Sequence, residues 1–215
     1  MTNAFAKNTA TSAADARKIT PRAEFRVFGH GIIADVQARM WNGKTVLYQA
    51  RTMPAETYFL SRNTRDANVK VRDGLLDIKV KTGETPEGDE IFQPAGKFQF
   101  PVSRESLLSI TTALKVTLPD RLAHEDVVTF EQFLNAARDH QDLVPVTVEK
   151  KRWGFTIDGI ICEYAQVFFN GAMVESACVE SENYEGMRAV IEGLGLDGHA
   201  NTNYLKAAAT IVGMA

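Results

Sequence analysis

Only two cysteines occur in the 215 residues, Cys162 and Cys178, and their spacing fits no zinc motif. Two thiols make no disulfide framework. The expectation is a reduced, cytoplasmic protein, with a single bridge between the two thiols left open. Histidine is as sparse: His30, His124, His140 and His199 are scattered, and no two have metal-ligand spacing on a helix. No apolar run approaches the roughly 18 residues of a membrane helix, and the N-terminus lacks the compact apolar stretch of a signal peptide. A membrane partner is therefore not expected. Surplus positive charge is missing too. A formal net charge of −3 argues against a globally basic nucleic-acid binder and leaves room for a local basic patch only. Gly29-x-Gly31 has no Gly-Lys-Ser/Thr after it, so it is no phosphate loop, and no Gly-x-Ser-x-Gly elbow offers a nucleophilic serine.

What is present is a chain 45% hydrophobic, enough for one large domain with a real core and too short for two. Residues 1–22 are rich in Ala, Thr, Ser and Asn, with Lys7, Arg17, Lys18 and Arg22 against one acid, Asp15. They are expected to form a disordered tail, a targeting segment being the alternative. Residues 23–213 form the expected domain.

From Ala23 to about Lys81 the chain reads as strands. Glu24 to Phe28 alternates and ends at Gly29-His30-Gly31. Ile32 to Trp41 is apolar-rich and is followed by Asn42-Gly43, a hairpin signal that makes Thr45 to Gln49 its partner. Glu56 to Leu60 is another strand, and Asp73-Gly74 joins Asn68–Arg72 to Leu75–Lys81. Thr82 to Glu90 is rich in Gly, Pro and acids and reads as a loop. The middle is helical. Ser103 can cap a helix to Leu114, and Thr129-Phe130-Glu131-Gln132 fits a capping box opening a helix to about His140. Strands return over Val144–Arg152, Phe155–Phe169 and Met173–Glu182, punctuated by Asp158-Gly159 and Asn170-Gly171. Helices near Tyr184–Ile191 and Tyr204–Val212 end at glycines. No repeat of fixed period is found. Two β-rich halves around a helical middle suit a closed antiparallel barrel, an α+β fold.

Alternation then assigns charges to faces. Lys70 and Arg72 share one face, as do Asp77, Lys79 and Lys81, Lys150 and Arg152, and Glu180 and Glu182. The ordinary reading of such pairs is a wet outer face. Two features weigh against it. Bases concentrate over residues 62–81 and acids near the last strand, whereas a solubility surface mixes signs. Strands that each offer two cations on one face make a surface for an anion with many oxygens. Glutamates two residues apart on a strand can hold a divalent metal.

These segments resemble the CYTH domains, or triphosphate tunnel metalloenzymes. Asn68-Val69-Lys70-Val71-Arg72 with Leu76-Asp77-Ile78-Lys79 is similar to that family's basic hairpin, and Glu149-Lys150-Lys151-Arg152 to its central basic strand. Glu163 stands where the family places an acid. Val179-Glu180-Ser181-Glu182, followed by Leu194-Gly195-Leu196, is similar to its terminal strand and helix. The resemblance implies an eight-stranded antiparallel tunnel with flanking helices. It also implies a triphosphate, polyphosphate or nucleotide as partner, Mg²⁺ or Mn²⁺ as cofactor, and triphosphatase-like phosphoric-anhydride hydrolysis. Arg26, Lys70, Arg72, Lys79, Lys81, Lys150 and Arg152 would then bind phosphate, and Glu24, Glu163, Glu180 and Glu182 would bind metal. The chain departs from the family in its first strand, normally Glu-x-Glu-x-Lys and here Glu24-Phe25-Arg26-Val27-Phe28. A cation in place of a metal ligand lowers metal affinity and favours anions. Three readings follow: a metal-dependent hydrolase, a tunnel that binds a polyanion without hydrolysing it, and an interaction protein whose charged faces are wet. The oligomeric state is not readable.

Overall fold

Two-residue turns fold neighbouring strands onto each other. At Asp158-Gly159 and Asn170-Gly171 both turn residues have positive φ (50° and 78°, 49° and 86°), the geometry whose twist matches paired strands. Asp73-Gly74 makes the same turn. A computed structural model describes residues 21–117 and 120–214. Apart from residues 21 and 22, the segment read as a disordered tail lies outside the described residues. Those two are anchored: Tyr184 OH donates to Pro21 O at 2.9 Å, and Arg22 lies 3.6 Å from Glu180.

The main strands are β1 (Ala23–Gly29), β2 (Thr45–Ser61), β3 (Ala67–Arg72), β4 (Leu75–Glu84), β5 (Glu90–Gln99), β8 (Leu143–Ile157), β9 (Ile160–Phe169) and β10 (Ala172–Ser181). Two short strands, β6 (Val102–Ser103) and β7 (Val127–Val128), pair separately. The eight form a closed barrel in the order β1-β10-β9-β8-β2-β3-β4-β5, antiparallel throughout, the architecture expected from the sequence. Its closing seam is short. β1 pairs with β5 only at Ala23–Ile91 and Glu24–Glu90. Beyond that, the edge of β1 is satisfied by the segment before the last helix: Arg26 N donates to Asn201 Oδ1 at 3.0 Å, and Thr202 N to Arg26 O at 2.7 Å.

Helices cover two sides. α1 (Ile32–Met40) and α5 (Tyr184–Gly193) pack Val36, Met40, Met187 and Ile191 onto Phe25, Phe155 and Val179. α2 (Arg104–Leu114) and α4 (Phe130–Asp139) pack Leu107, Ile110 and Phe133 onto Phe59, Val69 and Leu76. α3 (Asp120–Ala123) is a single turn between them. The expected caps are present. Ser103 Oγ accepts from Ser106 N, and Thr129 with Gln132 forms the full capping box. The last helix, α6 (Tyr204–Ile211), enters one end of the barrel, where Leu205 and Ala208 meet Tyr58, Val146, Val167 and Phe169.

Two expectations need correction. The segment 32–41 is no strand but α1, because its buried residues Ile32, Val36 and Met40 recur every four residues rather than every two. Thr45–Gln49 consequently pairs not with it but with β8, from Thr45–Ile157 to Gln49–Gly154. The loop read over residues 82–90 is shorter, since β4 continues to Glu84 and β5 begins at Glu90. β5 itself carries Pro94 and Gly96, residues that weaken a strand signal.

Candidate functional site: a charged cavity inside the barrel

Register decides which side chains meet inside. Across β1, β10 and β9, Glu24 is opposite Glu180, and Arg26 opposite Cys178, which is opposite Glu163. Across β3 and β4, Asn68 is opposite Lys79. On β8, Lys150 and Arg152 share a face with Val167 and Ala165 of β9. These side chains line a cavity of about 380 Å³. Its cations are Arg22, Arg26, Lys70, Lys79, Lys150 and Arg152, and its carboxylates are Glu24, Glu90, Glu163 and Glu180. Clustering this much like charge in an enclosed, low-dielectric space is costly unless counter-charges are interleaved.

Glu56 is one such counter-charge. Pro54 and Ala55 form a bulge in β2, so that Met53 lies opposite Lys150 but Glu56 lies opposite Val148. That shift of parity turns Glu56 inward. Its carboxylate is 2% exposed and accepts from Lys150 Nζ at 2.6 Å and Lys70 Nζ at 2.9 Å, with Arg72 Nη1 at 3.6 Å. Burial alone would raise its pKa, but Lys150 and Lys70 outweigh burial and hold it at about 2.

Arg26 anchors the opposite wall. Its Nε donates to Glu24 Oε1 at 2.7 Å, and its Nη1 to Ser176 Oγ at 3.1 Å and Glu163 Oε1 at 3.4 Å. The other Glu163 oxygen accepts from Arg152. Burial disfavours the Glu24 carboxylate, yet Arg26 keeps its pKa below the usual range. Glu180 goes the other way: burial and then the neighbouring Glu24 charge raise its pKa.

The floor is aromatic. Tyr204 at the start of α6 packs edge-on against Phe28 and near Tyr58, with Lys150 Nζ 4.3 Å and the Arg26 guanidinium 4.7 Å from its ring centre. Asn203 caps α6 through Lys206 N and donates to Glu90 Oε2 at 2.7 Å, while Lys206 Nζ reaches Glu90 Oε1 at 2.8 Å. These bonds tie the helix to the barrel wall and seal that end. Two lining groups have no partner among the described residues. Lys79 makes no side-chain hydrogen bond or ion pair, and Asn68 Oδ1 is buried without a hydrogen bond.

Eight of the eleven residues expected at a site thus line one cavity: Arg26, Lys70, Lys79, Lys150, Arg152, Glu24, Glu163 and Glu180. Arg72, 42% exposed, sits beyond the lining and touches it through Glu56. Lys81 pairs with Glu84 and, at 3.3 Å, with Glu90. Glu182 lies past the end of β10, half-exposed, 3.6 Å from Arg22. Glu56, Glu90, Asn203 and Tyr204 escaped the sequence reading. For Glu56 a signal existed, since Pro54 inside a strand marks a bulge. His30 is exposed and outside the cavity. Trp153 stacks on Tyr164 over the outer face, their rings 5.3 Å apart. The bridge left open between the cysteines is absent: both thiols are free, on opposite faces, Cys178 in the cavity wall and Cys162 in the outer core.

A divalent cation does not fit the residues expected to hold it. Among the described residues no three His, Cys, Asp or Glu side chains converge on one point. Glu24 and Glu163 already share the Arg26 guanidinium, and Glu182 is outside the cavity.

Searches with the sequence match no family model and no curated protein. Solved structures are similar in backbone path. A conserved hypothetical protein from Pyrococcus furiosus is 16% identical, with 86% of this chain and 98% of that one covered and a TM-score of 0.49. A putative adenylyl cyclase from Hippeastrum, described as having a dominant triphosphatase activity, is 12% identical, with 90% and 96% covered and a TM-score of 0.48. A putative adenylate cyclase from Bacillus halodurans is 10% identical, with 86% and 95% covered and a TM-score of 0.42.

Proposed function

We propose that the barrel is a binding tunnel for a compact, phosphate-rich anion of the triphosphate or polyphosphate class. The observation that carries this reading is Lys79. It lines the cavity together with Lys70, Lys150 and Arg152 and makes no side-chain hydrogen bond or ion pair among the described residues. Arg and Lys together suit such a ligand, the guanidinium as a two-pronged donor and the ammonium as a point charge. Sealing by α6 leaves a closed end against which a short anion is held. A wet outer surface is the weaker reading, because Arg26, Lys150 and Glu163 are under 10% exposed.

Between the hydrolase and the non-catalytic tunnel, the geometry favours binding without metal-assisted hydrolysis. The metal-activated water implied by the resemblance needs carboxylates that are free, and Glu24 and Glu163 are engaged by arginines. Calorimetric titration with inorganic tripolyphosphate tests the binding reading, and no heat of binding would sink it. Phosphate release from tripolyphosphate and from nucleoside triphosphates, with Mg²⁺ or Mn²⁺ present, tests the choice between the two. Background rates are expected, and metal-dependent turnover would restore the hydrolase.

A further inference from the structure

A cation held by Glu24 and Glu163 would have to lie where the Arg26 side chain lies. Its Nε is 2.7 Å from Glu24 and its Nη1 3.4 Å from Glu163, and the side chain is 5% exposed. Ser176 Oγ accepts a further bond at 3.1 Å, and the Tyr204 ring sits 4.7 Å from the guanidinium carbon. We propose that Arg26 is this chain's built-in substitute for a divalent cation, so that the tunnel takes its phosphate-rich anion free of metal. This rests on the anion-binding reading above.

Three physical arguments support it. The guanidinium is always charged, and it is tethered, so it competes for the two carboxylates at a local concentration that a soluble ion does not reach. Its Nε and Nη1 are taken up by the protein, whereas Nη2 has no side-chain partner among the described residues, which leaves one donor edge for a ligand. The remaining carboxylate pair, Glu24 and Glu180 on facing strands, is already neutralised by arginines, Glu24 by Arg26 at 2.7 Å and Glu180 by Arg22 at 3.6 Å. Arg26 thus supplies, from the wall, the positive charge that a metal would otherwise bring in with the anion. Dissolved Mg²⁺ complexes polyphosphate, so on this scheme it competes with the protein.

The test is calorimetry of the full chain with inorganic tripolyphosphate, once in EDTA and once in millimolar MgCl₂. Affinity in EDTA is expected to equal or exceed that in Mg²⁺. Tighter binding in Mg²⁺ overturns the proposal while leaving the anion tunnel intact. No binding in either buffer removes the tunnel reading and the proposal with it. A second measurement uses Mn²⁺ alone, followed by electron paramagnetic resonance. The wild-type chain is expected to leave Mn²⁺ free, and Arg26→Glu, which adds a carboxylate beside Glu24 and Glu163, to bind it. Bound Mn²⁺ in the wild type at equal stoichiometry overturns the proposal. Should Arg26→Glu fail to fold, Arg26→Gln keeps the length and the polar tip. It is expected to lose about tenfold or more in tripolyphosphate affinity in EDTA, and unchanged affinity would overturn the substitution role.

Discussion

Lys150 Nζ lies 2.6 Å from Glu56 Oε2 within the barrel, the two side chains 8% and 2% exposed. Lys70 holds the other oxygen, so one carboxylate sets the position of two cavity cations. Removing it leaves buried positive charges facing each other. Glu56→Ala is expected to cost about 3–5 kcal/mol, read as a fall in urea stability at neutral pH. A variant as stable as the parent would mean that the cluster is solvated.

The same carboxyl predicts an acid transition. Its folded pKa of about 2 lies below its usual 4.5, so its stabilisation is complete above pH 4.5 and is lost as pH falls towards 2. Denaturation midpoints across that window should fall more steeply for the wild type than for Glu56→Gln. Parallel curves would contradict the assignment.

Lys79 makes no side-chain hydrogen bond or ion pair among the described residues. Lys79→Ala should therefore leave stability nearly unchanged, while tripolyphosphate affinity drops by about tenfold to a hundredfold, the worth of one charged hydrogen bond. Paired denaturation and calorimetry separate the two effects. A large loss of stability would show that Lys79 is structural.

Glu180 opposes anion binding when ionised. Burial and Glu24 raise its pKa, so it takes up a proton more readily than an ordinary glutamate as pH falls. Affinity for tripolyphosphate should rise as pH falls through that titration. Glu180→Gln should bind more tightly at neutral pH and flatten the acid rise. The raised pKa also means that ionisation opposes folding, so the same variant should be no less stable at pH 7.

Tyr204 closes the tunnel floor among Phe28, Tyr58 and Phe169 and under two cations. Tyr204→Ala should cost about 3 kcal/mol, visible as a lower thermal midpoint. Tyr204→Phe should recover most of it, because the ring faces rather than the hydroxyl make these contacts.

Much of the fold was legible because its signals are local. Asp73-Gly74, Asp158-Gly159 and Asn170-Gly171 need positive φ and specify their hairpins whatever surrounds them. Ser103 and Thr129 satisfy helix N–H groups within one turn. Where local signals conflict, the reading failed. Asn42-Gly43 resembles a hairpin turn, but the segment before it packs as a helix through Ile32, Val36 and Met40. The first strand shows the same division: its sequence put Glu24 and Arg26 on one face, but not what lies across from them.

By itself the sequence determined that Lys70 and Arg72 project to one side of their strand and Lys150 and Arg152 to one side of theirs, since side chains alternate with period two. It did not determine that those sides share one interior. Barrel closure decided that, by bringing Glu24 opposite Glu180 and Arg26 within reach of Glu163 across two strand boundaries. The bulge at Pro54 and Ala55 turned Glu56 inward, and α6 placed Tyr204 beneath the cations. The physical reason is range: alternation and turn chemistry act over a few residues, whereas charge pairing inside a barrel depends on strand register between segments more than a hundred residues apart, such as Arg26 and Glu163.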